Sequence, residues 1–412
     1  MKKTITRIFA ILFASLLFAA AFTGCGNKDA DEPIVAKLGK YQITKSEYDD
    51  FYNAYMQYAP SFGFDLSTDD GVKAYKEWSI TQLSADMILQ YYADENGMSL
   101  TDDEIKTAEE TAESTYNGML ERFASQIDQS LTDEAEKLAA KEKLLSEGLT
   151  KDLGITISEY KEKLRMNAKK EAVISKVIQH FHSMVSVTEN EVREYFDEIA
   201  AQQKADFDAN PGNFYTTHSY YMNYGEENGY LRPLYIPEGY ISVKHIYIAF
   251  KEDDETLAEG ERSRTDAEAL VNEIQRELDA GADFNALIEK YGEDPGMQAE
   301  PYKTIGYYVH EAIIDNFYEG WAEQALSLQN IGDVTEPFYT EYNGSKAIHI
   351  IQLTGRLESG TIEYTDELST ILSSALLGQK QRDNLEARVN ELRDIYPLEI
   401  YEDVYMSVGS EK

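Results

Sequence analysis

The chain of 412 residues reads as an α+β protein. A mainly helical N-terminal domain is completed by a C-terminal helix, and an α/β module, a small mixed or antiparallel sheet flanked by helices, is inserted between them. Three observations predict this. Thr-x-x-Glu capping boxes recur ahead of apolar residues at helical spacing along the first half. From Ile241 onward, strand-like and helix-like segments alternate. Beyond that module a long helical segment carries an apolar stripe (Leu368, Ile371, Leu372, Ala375, Leu376, resumed at Leu385, Val389 and Leu392), which needs a partner surface.

Residues 1–24 open with Lys2, Lys3 and Arg7, followed by a 15-residue apolar run from Ile8 to Phe22 broken only by Ser15. That run is short of the roughly 20 residues a spanning helix wants and suits the core of a signal peptide. It ends in Phe22-Thr23-Gly24-Cys25, and Cys25 is the only cysteine, so no intramolecular disulfide is available. Residues 25–33 read as a polar tether. Residues 34–235 read as the helical domain. In it, Ile34 to Ile43 is a strand or hairpin turning near Gly39, and helices open at Thr44/Glu47, Thr101/Glu104, Thr156/Glu159 and Thr188/Glu191. A fifth box is Thr265/Glu268. The tyrosine-rich stretch 206–240, interrupted by Pro211, Gly212, Gly225, Gly229, Pro233, Pro237 and Gly239, reads as a linker with some strand content and as a domain boundary.

Residues 240–357 are the inserted module, with strands over Ile241–Phe250 and Lys346–Leu353. Helices are expected over Asp266–Ala280, Phe284–Tyr291 and about Phe317–Leu328. In residues 358–412 a helix is expected from about Tyr364 to Ile395, then a strand over Leu398–Met406 that could pair with residues 34–43.

Hydrophobic residues make up 42% of the chain, enough for a sizeable core. Against 75 Asp and Glu stand 38 Lys and Arg, a net charge of −37. Counterion-release binding needs clustered Lys and Arg, so this balance argues against a nucleic-acid partner and against electrostatic adhesion to anionic lipid. Any membrane attachment must then be apolar or covalent. No metal or cofactor is expected: His180 and His182 lie two apart on a helix and point to different faces, and Asp65–Gly71 misplaces the glycine of a calcium loop. No nucleophile elbow is present. The 30 tyrosines offer rigid apolar area with a polar tip, suited to contact with unfolded chains and equally to half-buried packing in a helical domain.

Three pieces of the inserted module stand out. Val243-Lys244-His245-Ile246-Tyr247-Ile248 is a strand with a histidine among apolar neighbours. Gly281-Ala282-Asp283-Phe284 opens a helix that runs to Tyr291-Gly292-Glu293-Asp294-Pro295. Ile331-Gly332-Asp333-Val334-Thr335-Glu336-Pro337-Phe338 precedes Ala347-Ile348-His349-Ile350-Ile351. In this order they resemble the parvulin, or PpiC-type rotamase, family of peptidyl-prolyl isomerases. The segment ending at Cys25 resembles a bacterial lipobox. Together with VAKLGKYQIT, VTENEVREYFDE and the returning helix, it makes the chain similar to the PrsA/SurA group of extracytoplasmic foldases.

The resemblance implies a catalytic set of His245, Asp294 and His349. It also implies an apolar slot for the proline ring drawn from Val309, Phe317, Trp321 and Phe338, with the choice between Phe317 and Trp321 open. Asp294 would orient the histidine network or shape the field around the substrate carbonyl. The hydroxyl near the last strand would come from Thr340 or Ser345. Cys25 would carry the lipid that holds the chain on the outer face of a bacterial membrane, and the partners would be unfolded or newly translocated secreted proteins. The implied function is isomerisation of their X-Pro bonds, and the competing one is a holdase that keeps the parvulin fold as a binding platform. Three departures bear on that choice. Lys303–Tyr308 keeps a single glycine where the family has a glycine-rich segment, and Gly292 replaces a serine. Arg262 and Arg264, with Lys251 at its start, are the only cations of the acidic loop after the first strand, which argues against phosphate-directed specificity.

Overall fold

The computed structural model describes residues 32–408. The signal segment 1–24, Cys25 and most of the tether lie outside the described residues. The chain divides into two compact units, one running to Ser186 and resuming at Leu377, the other spanning Val187–Leu376.

The first unit begins with an antiparallel hairpin, β1 (Ile34–Leu38) and β2 (Tyr41–Thr44), turning at Gly39-Lys40. Five helices follow: α1 (Lys45–Tyr55), α2 (Asp69–Glu95), α3 (Asp102–Glu121), α4 (Glu134–Leu153) and α5 (Ile157–Ser183). Reciprocal capping boxes open α1, α3 and α5 at Thr44, Thr101 and Thr156. In each, the threonine oxygen and the glutamate three residues on satisfy amides that a helix start leaves orphaned. Tyr48, Tyr75, Ile88, Val177 and Phe181 form the centre of the core, and Tyr116, Leu120, Leu149 and Leu164 join α3, α4 and α5 in a second cluster. Full burial of each such side chain is worth roughly 1.5–3 kcal/mol.

The second unit opens with α6 (Glu189–Ala209), boxed at Thr188, and α7 (Gly212–Tyr224). The expected tyrosine-rich linker is thus largely a helix. Pro211, at φ −58°, already has the helical backbone angle at the position before the first turn, and Phe214 anchors α7 in a cluster with Phe207, Tyr235, Tyr240 and Ile313. After β3 (Tyr235–Ile236) comes the long strand β4 (Ile241–Phe250), then α8 (Arg264–Asp279), α9 (Phe284–Tyr291), α10 (Pro295–Gln298) and α11 (Tyr302–Ile305). The cap of α8 is Ser263, whose hydroxyl accepts from the Asp266 amide; Thr265 sits inside the first turn, tied to Asp253. Next are β5 (Tyr307–Val309), a 3-10 segment over Glu311–Asn316, and α12 (Trp321–Ser327). The helix expected from Phe317 starts only at Trp321 because Gly320, at φ 76°, sits left-handed at its cap. The unit closes with β6 (Phe338–Tyr342), β7 (Ser345–Arg356), β8 (Gly360–Thr361) and the start of α13 (Asp366–Ile395).

The later part of α13 returns Leu385, Val389 and Leu392 to the first unit's core, where β9 (Glu399–Ile400) pairs with β1 and α14 (Glu402–Met406) buries Tyr405. The strand expected over Leu398–Met406 is therefore two residues long. The chain then turns helical, placing the Tyr405 ring 5.8 Å from Tyr48 and the Met406 carbonyl under the Lys76 ammonium.

The sheet of the second unit is antiparallel throughout, in the order β5-β4-β7-β6. Its two faces follow from strand periodicity. Ile246, Ile248, Ile348 and Ile350 face α8 and α9. Val243, Ile351 and Leu353 face the other way, under Trp321, Ala322 and Ala325 of α12.

Candidate active site

Both histidines of the sheet lie on the face covered by α12. On β4, His245 is two residues from Val243 and Tyr247; on β7, His349 is two from Ile351. In the register, His245 faces Ile351 and Tyr247 faces His349, so the two imidazoles are diagonal neighbours across the central strand pair. Their rings lie 5.3 Å apart and nearly parallel, with the two Nδ1 atoms 3.1 Å from each other. His245 is 5% exposed and His349 fully buried.

The neighbours assign the protons. An indole N–H only donates, and Trp321 Nε1 donates to His349 Nδ1 at 3.1 Å. His349 Nδ1 is thus an acceptor, and the neutral ring carries its proton on Nε2, which donates to Thr340 Oγ1 at 2.9 Å. His245 Nδ1 is left to donate toward the same acceptor. On its other side, His245 Nε2 lies 2.6 Å from Asp294 Oδ2, with the proton on the line between imidazole and carboxylate. The Gly296 amide donates to Asp294 Oδ1 and the Tyr307 hydroxyl to Oδ2, both at 2.9 Å. Burial alone would raise the Asp294 carboxyl, but the hydrogen bonds and charge of His245, the Gly296 amide and Tyr307 outweigh it and hold the group below the usual carboxylate value. Burial pushes His349 down to about 3, His245 adding to the shift and Asp294 opposing it, so His349 is uncharged.

Two glycines are required by this geometry. A Cβ on Gly296 would sit 1.9 Å from the Tyr307 hydroxyl, displacing the group that donates to Asp294. Gly306, the one glycine kept in Lys303–Tyr308, has φ 75°, and a Cβ there would meet the Val243 carbonyl at 2.5 Å.

A cavity of about 550 Å³ opens over the network. His245, Asp294, Phe317 and Trp321 line it together with Tyr215, Tyr247, Tyr307, Asp315, Tyr318 and Tyr342. Phe317 and Trp321 stack at 4.8 Å and 11°, so both rings present one apolar wall. Val309 and Phe338 do not line the cavity. Val309 is fully buried in the core beneath Trp321, and Phe338 stacks on His349 at 5.6 Å, supporting that ring from behind. Thr340 supplies the hydroxyl, whereas Ser345 is exposed at the start of β7. Among the described residues, no group of three His, Cys, Asp or Glu could hold a metal ion, and no helix is long and apolar enough to cross a membrane.

Tyr215, Tyr247, Tyr307 and the indole N–H of Trp321 were not singled out from the sequence. Tyr247 is two residues from His245 on one strand, a spacing that alone places it at the site. Tyr307 directly follows the retained glycine. Tyr215 has no local signal, because its place depends on how α7 packs through Phe214.

Residues 1–109 match the family described as SurA-like N-terminal domain, and residues 245–355 match the PPIC-type PPIase domain. The foldase protein PrsA of Caldanaerobacter subterraneus is 22% identical to this chain, over 98% of it and 99% of the relative. Foldase protein PrsA 4 of Bacillus cereus is 24% identical over 53% of this chain and 73% of its own. The chaperone SurA of Pseudomonas fluorescens is 27% identical over 34% of this chain and 30% of its own. The crystal structure of foldase protein PrsA from Streptococcus pneumoniae covers 90% of this chain and 97% of its own at 15% identity, with a TM-score of 0.25.

Proposed function

Because the chain joins a SurA-like N-terminal domain to a PPIC-type peptidyl-prolyl isomerase domain, and so belongs with the PrsA- and SurA-like foldases, we propose that it catalyses cis–trans isomerisation of X-Pro bonds in secreted proteins outside the cytoplasm. The observation that carries this reading is the His245–His349 pair, closed by Asp294, Thr340 and Trp321 beneath an aromatic cavity.

The reaction breaks no bond. Rotation about X-Pro is opposed by a barrier of about 20 kcal/mol that arises from amide resonance, and unassisted exchange takes tens of seconds or more. A site lowers the barrier by replacing the water around the amide with fixed dipoles and an apolar surface that suit the twisted geometry. Here the proline ring rests on the Phe317–Trp321 wall. Asp294, His245 and Tyr307 present a polar edge whose protons are set by His349, Thr340 and Trp321 behind it. His245 and Asp294 act on the substrate amide; His349 and Phe338 position them. The helical first unit holds the unfolded client. Cys25 carries a diacylglyceryl anchor, and two acyl chains hold a protein durably where one does not. The chain is thereby kept on the outer face of the membrane.

Magnetisation exchange in a short Ala-Pro peptide tests the enzyme reading, using the full chain beside His245→Ala and His349→Ala. Acceleration by the parent that disappears in both folded variants supports it. No acceleration by the folded parent overturns it, leaving suppression of client aggregation as the activity to assay. Incorporation of labelled fatty acid during expression in a bacterium, abolished by Cys25→Ser, tests the anchor.

A further inference from the structure

The carboxylates lining the cavity are Asp294 and Asp315, and the one basic side chain among the lining residues, His245, is bonded to Asp294. Asp294 is committed, since its two oxygens take up His245, the Gly296 amide and Tyr307. Asp315, at the end of the 3-10 segment two residues before Phe317, is exposed and engages no ion pair or hydrogen bond among the described residues. Its own rim segment, Glu311 to Glu319, contains three acids and no base. The two arginines of the loop after β4 are already neutralised: Arg262 pairs with Glu293, and Arg264 lies 2.9 Å from Glu268 and 3.6 Å from Glu252. No lysine or arginine lines the cavity among the described residues.

Aromatic faces complete the rim. Tyr318 and Tyr342 meet edge to face at 5.7 Å, one on the segment before α12 and the other at the end of β6. Tyr247 projects from β4, and Tyr215 enters from α7, a helix outside the matched isomerase segment 245–355. A cation placed beside a free carboxylate and over tyrosine faces gains from both. An acidic or phosphorylated side chain in the same place meets two carboxylates, and the one basic group there, His245, is already taken up by Asp294.

Resting on the isomerase reading, we infer that this site selects X-Pro segments with a lysine or arginine next to the proline, and that Asp315 reads that charge at the tyrosine-lined rim. The substrate class is therefore cationic rather than phosphorylated or acidic.

Exchange kinetics on four peptides test this with the full chain: Ala-Lys-Pro-Ala and Ala-Glu-Pro-Ala, and the pair with the charge after the proline, Ala-Ala-Pro-Lys and Ala-Ala-Pro-Glu. In one of the two pairs kcat/KM for the lysine peptide should exceed that for the glutamate peptide by about three- to tenfold, the range of a partly screened ion pair with a cation–π contact. Asp315→Asn should bring that ratio close to one, and Tyr215→Leu should reduce it in part. Raising the ionic strength to about 1 M, where the Debye length is near 3 Å, should do likewise in the parent; a merely structural role for Asp315 would leave the salt response untouched. Acceleration of the peptides with lysine-to-glutamate ratios near one in both pairs overturns the inference while sparing the isomerase reading. A ratio that survives Asp315→Asn overturns the assignment to Asp315. No acceleration of any peptide by folded protein overturns both.

Discussion

The two faces of the β5-β4-β7-β6 sheet are built from the same strands to opposite ends. Beneath α8 and α9, Ile246, Ile248, Ile348 and Ile350 pack among Phe284, Leu287 and Ile288, with Tyr291, Tyr302 and Tyr307 against the edge of the cluster. One residue along each strand, the opposite face buries two imidazoles, an indole N–H and a threonine hydroxyl, and each has a named partner. An apolar face is stabilised by area and tolerates neighbours of many shapes. A buried polar face is stabilised only while every donor meets an acceptor, so a single change propagates through proton placement. The difference teaches that stability and chemistry are separable here by a shift of one residue in a strand.

The comparison breaks if the faces cannot be perturbed separately. The largest effect is expected from Ile350→Ala, which should lower the unfolding free energy by roughly 2–5 kcal/mol in denaturant titrations. The isomerisation rate per folded molecule should stay at the parent value, and a parallel fall in that rate would show the faces to be coupled.

Next in size is pH. Burial holds His349 at about 3 and, in the α7 cluster, His218 at about 4 in the folded chain, both below the ordinary value of 6.5. Below that ordinary value the unfolded chain takes up protons that the folded unit refuses. Stability is therefore complete above it and falls as the pH drops, by about 1.4 kcal/mol per pH unit for each histidine until the folded value is reached. The denaturant midpoint followed from pH 7 to pH 5 should fall, less steeply in His218→Phe. A flat profile would count against the burial of both rings.

Thr340→Val is expected to cost about 1–3 kcal/mol by leaving His349 Nε2–H without its acceptor. The Trp321 N–H, still donating to Nδ1, should hold the ring in the same tautomer, which the ¹⁵N chemical shifts of His349 would report. Trp321→Phe is expected to cost about 1–3 kcal/mol, because ring contact with Phe317 can be kept while the N–H and part of the buried bicyclic ring are lost. Its effect should fall on the isomerisation rate more than on stability, and equal small losses in both would make Trp321 a wall and nothing else.

Much of this was legible because it is periodic. Apolar runs around them mark His245 and His349 as strand residues and the family resemblance marks them as a pair, while the apolar spacing behind each capping box marks the helices of the first unit. What escaped depends on direction or on distant packing. The sequence states that Trp321 is large and apolar, but the aim of its N–H follows from how α12 crosses the sheet. Thr340 and Ser345 are equally hydroxylic; the β6–β7 register sets Phe338 opposite His349, bringing Thr340 to its diagonal and leaving Ser345 at the strand end. Pro211 and Gly212 read as breakers, yet the proline's fixed angle starts α7 and so delivers Tyr215. The final strand is shorter than its residues suggest because Tyr401 and Val404 suit a strand locally, while Tyr405 is buried from a helical turn.

The pairing of β1 with β9 joins Ala36 to Ile400. During synthesis at about 5–20 residues per second, one edge of β1 therefore waits tens of seconds for its partner. Over the same interval the first unit lacks Leu385, Val389, Leu392 and Tyr405, and its apolar face stays open. A chain emerging across the membrane ahead of its last residues is in the same condition and resembles the unfolded proteins it is proposed to serve, so for that time it is a candidate client of finished copies.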